Sequence, residues 1–544
     1  MFTHPVSKPS NNITPKNNLN NKMKTTVMRK NSVPLMFLLF TLTASHNALA
    51  TDVSGTIVNQ TWTSNNSPYR VVGDILVAGL TINPGVTVLF ASNYVFEVGG
   101  LLNAQGTPNA PIVFMSTNGG WQGIFFNNAP SGSVLEYCTI SNSVNSGIQI
   151  AASGTETIAN CLFTGNSTTG SGGAVYAGGQ TTDLVLDGCT FINNSASVHG
   201  GAIRAVMTSG VLRIINGCKF IGNVANPGSL GGDHVGGGLY VVGDVEISDT
   251  LFTNNTSISL CSSSFGCNVT GRGGAVFLEG GNAIIRNCLF VANTVRGING
   301  GNCFFGGTSK AWGGAIYLND GGLKLSNTIL SHNVTDASSC GPSPYGGGLF
   351  VNSGTCSVVN VTCAYNTDYN TGDGIDIFGG TVGITNSIVF FNGGAQISGA
   401  ATVVYSDVQG GHAGEGNISL NPLFLSPTDL IIVDGSPCID AGSTNAAYDD
   451  VCFPPSLGTL LNDMGAHGGP GACAKLVPHL EQQFEVTVFG GVPGYSYLIQ
   501  ASTNLIDWQT VEPFQIAHVG DAAYFFEPPT NTLPQRFYKL NLAP

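Results

Sequence analysis

The sequence predicts an all-β protein, a right-handed parallel β-helix followed by a small C-terminal β-sandwich. Three observations carry that prediction. A phrase of two glycines, a small residue and a β-branched or aromatic run occurs seven times between residues 171 and 379. A second phrase, F-x-x-N, alternates with it and keeps the same period. No unit holds a helical pattern, and every run of strand-formers is short.

Residues 1–50 are set apart from the fold. "MKTTVMRKNSVPLMFLLFTLTASHNALA" has a basic start, an apolar stretch and an Ala-Leu-Ala ending at Ala50. That is the plan of a secretory signal, with cleavage expected after Ala50. The apolar stretch is too short to span a bilayer comfortably, and no later segment looks transmembrane. Upstream of the repeats, "LTINPGVTVLF" and "WQGIFF" are expected to begin and cap the stack, so the β-helix runs over 51–410.

The repeats themselves are "SGGAVYAG" (171–178), "VHGGAIRAV" (198–206), "VGGGLYVV" (235–242), "RGGAVFLE" (272–279), "WGGAIYLN" (312–319), "GGGLFVNS" (346–353) and "GDGIDIFG" (372–379). The partner phrase appears as "CLFTGN", "CTFINN", "CKFIGN", "TLFTNN" and "CLFVAN", then as weaker copies to residue 392. Successive Phe positions are 26 to 40 residues apart. One such unit cannot bury its own apolar side, whereas stacked coils about 4.8 Å apart can. Handedness follows the right-handed crossover preference.

Two ladders follow from stacking. Val175, Ile203, Leu239, Val276, Ile316, Leu349 and Ile375 share one inward position. Asn166, Asn194, Asn223, Asn255, Asn293, Asn333 and Asn366 share a bend, where amides satisfy turn backbone.

The paired phrases resemble the repeats of the polymorphic outer membrane proteins, a bacterial surface-adhesin family built on a right-handed β-helix. The resemblance covers about 163–392. No run of alternating membrane strands follows, so the family's self-transport is not implied. "NPLFLSPTDLIIVDGSPCIDAG" (421–442) and "NDMGAHGG" (462–469) are similar to the choice-of-anchor Q domain, which assigns 411–475 to an end-piece of the β-helix. From 476 to 544 the composition shifts to alternating strands, read as a separate β-sandwich module.

Charge limits the partners. Residues 1–50 hold six Lys/Arg and no acid, so the remainder carries twelve basic and 31 acidic side chains, a net charge of −19. Nucleic acid and anionic lipid are poor partners for such a chain. Only 9% of all residues are charged and 42% are hydrophobic, which excludes disorder by charge excess.

Fourteen cysteines in an exported chain invite disulfides. Cys138, Cys161, Cys189, Cys218 and Cys288 share a repeat position and read as a buried thiol column. The loop cysteines Cys261, Cys267, Cys303, Cys340, Cys452 and Cys473 are disulfide candidates, with Cys261–Cys267 and Cys452–Cys473 favoured. No spacing suggests zinc, calcium or phosphate binding, and no cofactor is expected.

Connections from the bend asparagine to the third letter of the glycine phrase run 8, 8, 15, 20, 22, 15 and 8 residues. The second connection barely changes. Four neighbouring coils should therefore carry loops (224–236, 256–272, 294–312 and 334–346) on one edge, the usual place for function on repeats. Beside them, Tyr176, Arg204, Tyr240, Phe277, Tyr317, Phe350 and Asp376 follow the inward aliphatic and should point outward. Tyr240, Phe277, Tyr317 and Phe350, with Trp312 in the wall, are the expected binding platform for sugar rings. Catalytic candidates are weaker: Asp233, His234, Asp244, Glu246 and Arg272. Both histidines, His199 and His234, read as surface residues.

The leading expectation is a secreted or cell-surface, non-catalytic β-helix, adhesin-like or glycan-contacting, with a polysaccharide or surface glycan as partner and a monomeric state. The alternative is a polysaccharide lyase or glycoside hydrolase of the pectate-lyase-like β-helix type.

Overall fold

The computed structural model describes residues 50–473 except 152–155, 181, 227–232, 262–267, 300–307, 338–344 and 369–373, and beyond 473 the backbone of six strands. Thirty-six strands form one continuous parallel system, joined by a seven-stranded and a three-stranded parallel sheet. Each coil has three faces. In one coil these are Leu239–Val242, Val245–Ser248 and Leu251–Thr253, after which Asn255 turns the chain into Thr256–Cys261.

The glycine pair makes the corner before the first face. Gly236 has φ +66, and a Cβ there would sit 2.3 Å from the Leu239 carbonyl oxygen. A Cβ on Gly237 would lie 2.2 Å from the Gly274 carbonyl of the next coil. The first glycine supplies a left-handed turn and the second allows close stacking. This is why the pair recurs.

The inward aliphatics Val175 to Ile375 are in register from coil to coil and fully buried. On the third face, Phe163, Phe191, Phe220, Phe252 and Phe290 stack inside the core, with ring centroids 4.9, 4.6, 4.5 and 4.7 Å apart. The neighbouring thiol column is buried, and its cysteines are free. Each Sγ reaches back to a carbonyl of the preceding coil, as Cys189 does to Ile158 at 3.3 Å. Burial pushes the Cys161, Cys189 and Cys218 thiols well up, which keeps them protonated.

The asparagine ladder is continuous. Each amide Nδ2 donates to the Oδ1 of the next asparagine at 2.9–3.0 Å. It also donates to the third-face carbonyl one coil back, such as Phe220 O from Asn255 at 2.9 Å. The ladder extends one rung beyond Asn366, to Asn392, whose Nδ2 donates to Gln396 Oε1 at 2.8 Å. All rungs from Asn166 to Asn366 have zero exposure.

Residues 411–473 are mostly turns that pack along the corner between the second and third faces. Asn327 Nδ2 donates to the Gly468 carbonyl (2.7 Å), Asn360 Nδ2 to the Asp463 carbonyl (2.9 Å), and Ser443 N to Asn386 Oδ1 (2.8 Å). A disulfide joins Cys452 and Cys473, with Cα atoms 5.3 Å apart. Cys267, Cys303, Cys340 and the Cys261 side chain lie outside the described residues. The C-terminal strands form two antiparallel three-stranded sheets, Lys475–Leu480 with Phe484–Phe489 and Ala523–Glu527, and Gln509–Gln515 with Ser496–Ser502 and Phe537–Leu542. No helix among the described residues is long and apolar enough to cross a membrane.

Candidate functional site

The outward row of the first face runs in register through Phe125, Gln149, Tyr176, Arg204, Tyr240, Phe277, Tyr317 and Phe350. Two-residue alternation points this row away from the core, as expected. Its downstream half is nevertheless covered. Tyr240, Phe277, Tyr317 and Phe350 are 8, 4, 2 and 3% exposed. Their rings stack at 5.3, 5.1 and 5.1 Å.

The cover comes from the long connections. After each bend they leave the stack and return through Asp233–Val235, Val269–Arg272 and Ser309–Trp312, a parallel sheet of its own. The residue just before the first glycine then forms a second row, His199, Val235, Arg272, Trp312 and Tyr345, in register. This row packs onto the aromatic column. Trp312 stacks on Phe350 at 5.4 Å, and the Arg272 guanidinium lies 5.5 Å from the Trp312 ring centre. The expected open platform is therefore a second, roofed core. The reason is energetic: four large rings in a row bury more apolar surface under loops than they would in water.

The polar candidates fall into two separate groups, with Asp233, His234 and Arg272 on the returning strands and Asp244 and Glu246 apart from them. Arg272 Nη1 is 2.9 Å from Asp233 Oδ2 on the returning strands. His234 is 6% exposed, not on the surface; its backbone N donates to Ser259 Oγ and its carbonyl accepts from Ser257 Oγ. His199 is partly covered and stacks on Tyr240 at 5.1 Å, and burial lowers it to about 4. Glu279 accepts from the Tyr240 hydroxyl at 2.5 Å. Burial, then that hydrogen bond, raises Tyr240, while burial pushes Tyr317 up to about 12.

Asp244 and Glu246 belong elsewhere. Asp244 precedes the second-face strand and accepts from Asn282 N at 2.7 Å, while Glu246 pairs with Arg213 at 3.3 Å. Asp183 completes that cluster, and Arg213 holds its carboxyl below the usual range. Two carboxylates facing each other across a cleft, as glycoside hydrolysis uses, are not assembled from these residues. Among the described residues, no group of three or more His, Cys, Asp or Glu is placed to hold a metal ion.

Upstream, the outward row is open. The two connections there are 8 residues long, too short to fold back over the sheet. Phe125, Gln149, Tyr176, Gly178, Arg204 and Val206 line a shallow groove of about 530 Å³. The depression exists because the second outward row carries only Ala151 and Gly178 in these coils. A Cβ on Gly178 would lie 3.1–3.4 Å from Cε1, Cζ and the hydroxyl of Tyr176, so the glycine leaves room for the hydroxyl end of that ring. Arg204 sits 5.2 and 5.6 Å from the Tyr176 and Tyr240 ring centres. Sequence reasoning placed Tyr176 and Arg204 outward but missed Phe125 and Gln149. The connection lengths held the signal: short means uncovered.

A family model described as a right-handed β-helix region matches residues 51–225 and 123–312. The stack is a right-handed β-helix. The probable autotransporter YfaL of Escherichia coli (strain K12) is 32% identical to this chain over 170 residues, 29% of its length. The chain spans about an eighth of that relative's length, 12%. No solved structure matches the β-helix chain.

Proposed function

We propose that this protein is a secreted or cell-surface, non-catalytic β-helix that contacts glycans through the open upstream part of its first face. The observation that carries this reading is the groove between Phe125 and Arg204. It offers two partly exposed aromatic rings beside an amide and a guanidinium. Sugars are held by such a pairing of apolar ring faces with a few fixed polar groups. Support also comes from the carboxylates, each engaged by a structural partner rather than facing another across a cleft. The similarity to a probable autotransporter supports a surface setting. In this reading residues 1–50 direct export, the repeats are of the polymorphic outer membrane protein type, and 411–475 serve as a choice-of-anchor Q-like end-piece.

A glycan array run with the secreted chain tests the reading, beside a reducing-end release assay on acidic and neutral polysaccharides. Binding that Tyr176→Ala weakens at least tenfold, with no release, is the expected result. Release of reducing ends would favour the lyase or hydrolase alternative, and an empty array would remove the glycan assignment.

A further inference from the structure

We infer that the groove selects glycans carrying a carboxylate, and that Arg204 is the residue that reads it. This rests on the glycan-contacting reading above and deepens it. The groove lining contains one charged side chain, Arg204, and no Asp or Glu. The chain around it is strongly acidic, so a lining free of carboxylates is a local exception with a definite sign.

Arg204 differs from the other arginines placed near carboxylates. Arg70 holds Asp52, Arg213 holds Asp183 and Glu246, Arg272 holds Asp233, and Arg296 holds Asp336. The Arg204 side chain makes no ion pair or hydrogen bond with any described residue. It is fixed instead by two aromatic rings, Tyr176 on one side and Tyr240 on the other, one coil step away in each direction. With an aromatic ring on each side, the N–H fork of its guanidinium has no acceptor among the described residues. A planar fork matches the two oxygens of a carboxylate. One of the two flanking rings, Tyr240, is itself held by its hydrogen bond to Glu279.

The neighbouring features suit the rest of a sugar. The hydroxyl end of the partly exposed Tyr176 ring lies against Gly178 beside the open floor at Gly179, which gives a pyranose an apolar surface to rest on. Gln149 donates its amide N–H to the Asn145 carbonyl at 2.6 Å, which fixes the side chain and leaves Oε1 as an acceptor for a hydroxyl. The row from Phe125 to Arg204 spans three coil steps, about 14 Å. A short oligosaccharide therefore covers it, with its acid group at the Arg204 end. Uronic and sialic acids both supply the required carboxylate.

The test measures binding of trigalacturonic acid and of 3′-sialyllactose to the full chain by calorimetry, each beside its methyl ester. The ester keeps the ring and removes the charge. The expected result is that at least one acid binds tenfold or more tightly than its ester, and that added salt narrows the gap. Arg204→Gln should abolish the preference, Arg204→Lys should keep part of it, and Arg70→Gln, which removes the same charge elsewhere, should leave it unchanged. Whichever acid binds identifies the source of the carboxylate. Equal binding of acids and esters, or an undiminished preference in a folded Arg204→Gln protein, would overturn this inference while leaving glycan contact standing. Failure of every acid, ester and array glycan to bind would instead overturn the glycan reading itself. Near-native thermal melts of the variants establish that they are folded.

Discussion

Asn255 and Asn293 are joined amide to amide at 2.9 Å, both with zero exposure, and the same Asn255 Oδ1 accepts the backbone and amide N–H of Asn223. Asn255→Ala therefore removes the shared acceptor of two buried Asn223 N–H groups, and with it the amide N–H that Phe220 O and Asn293 Oδ1 receive. Each unmet buried donor costs about 1–3 kcal/mol, so a loss of about 3 kcal/mol or more is expected. The urea midpoint should fall and Cys218 and Cys288, which flank this coil, should react faster with a thiol reagent. Unchanged labelling and midpoint would mean the ladder is not a stabilising element.

The roofed aromatic column and the open groove should respond oppositely to substitution. Tyr317→Ser opens a void under Trp312 in a column 2% exposed, and large-to-small changes in such cores cost about 2–5 kcal/mol. Thermal stability should drop while glycan affinity stays within twofold of the parent. Tyr176→Ala should do the reverse. Loss of binding in a folded Tyr317→Ser protein would return the site to the downstream column.

Two buried groups give stability opposite pH slopes. Burial raises Glu156 from 4.5 to about 7, and the folded chain retains a proton that the unfolded chain has released. Its contribution is present below pH 4.5 and is lost as pH rises through 7. Glu156 Oε2 is buried without a hydrogen-bond partner. Glu156→Gln should thus raise the melting temperature by a few degrees at about pH 8 and little at about pH 4. Burial, then the nearby His234 and Arg204, lowers His199 from 6.5 to about 4. Its contribution is present above 6.5 and is lost as pH falls toward 4. His199→Phe should flatten the acid side of the profile only. A melting curve whose slopes ignore both substitutions would refute these assignments.

The Cys452–Cys473 bridge closes a separation of 21 residues. A loop of that length contributes about 3 kcal/mol by restricting the open chain. Reduction, or Cys452→Ser, should speed proteolysis within 440–473 while leaving the repeats at 163–392 protected. Equal susceptibility before and after reduction would show that the end-piece is held by its contacts to Asn327, Asn360 and Asn386 alone.

Much of the scaffold was legible because repetition converts sequence spacing directly into register. Val175 to Ile375, Asn166 to Asn366 and the cysteine column each sit where one recurring letter puts them. The site was less legible, because alternation tells which way Tyr317 points but not what comes to lie on it. The roof is built by Arg272, Trp312 and Tyr345, letters just before the glycines whose partners are non-local. His234 was misread for the same reason, since Ser257 and Ser259 reach it from a strand across the loop. Asp244 and Glu246 alternate in sequence, but a strand boundary between them separates their partners. Nothing local announced Gln396 as the last rung.

That last rung has a consequence for how copies of the chain behave toward one another. A stack of identical coils has ends that resemble its middle, and an open edge invites another chain to continue the pattern. Here Gln396 folds back within its own coil, accepting the N–H and Nδ2 of Asn392 at 3.2 and 2.8 Å. Its own amide donates to the Asn392 and Gly394 carbonyls, so no rung is left over. Nearby, Asp407 on the last third-face strand takes the Leu420 N–H at 3.1 Å, and Ile418 bridges to the same residue. The sequence thus closes this end of the ladder on itself, and the last rung offers no free amide for a second chain to extend.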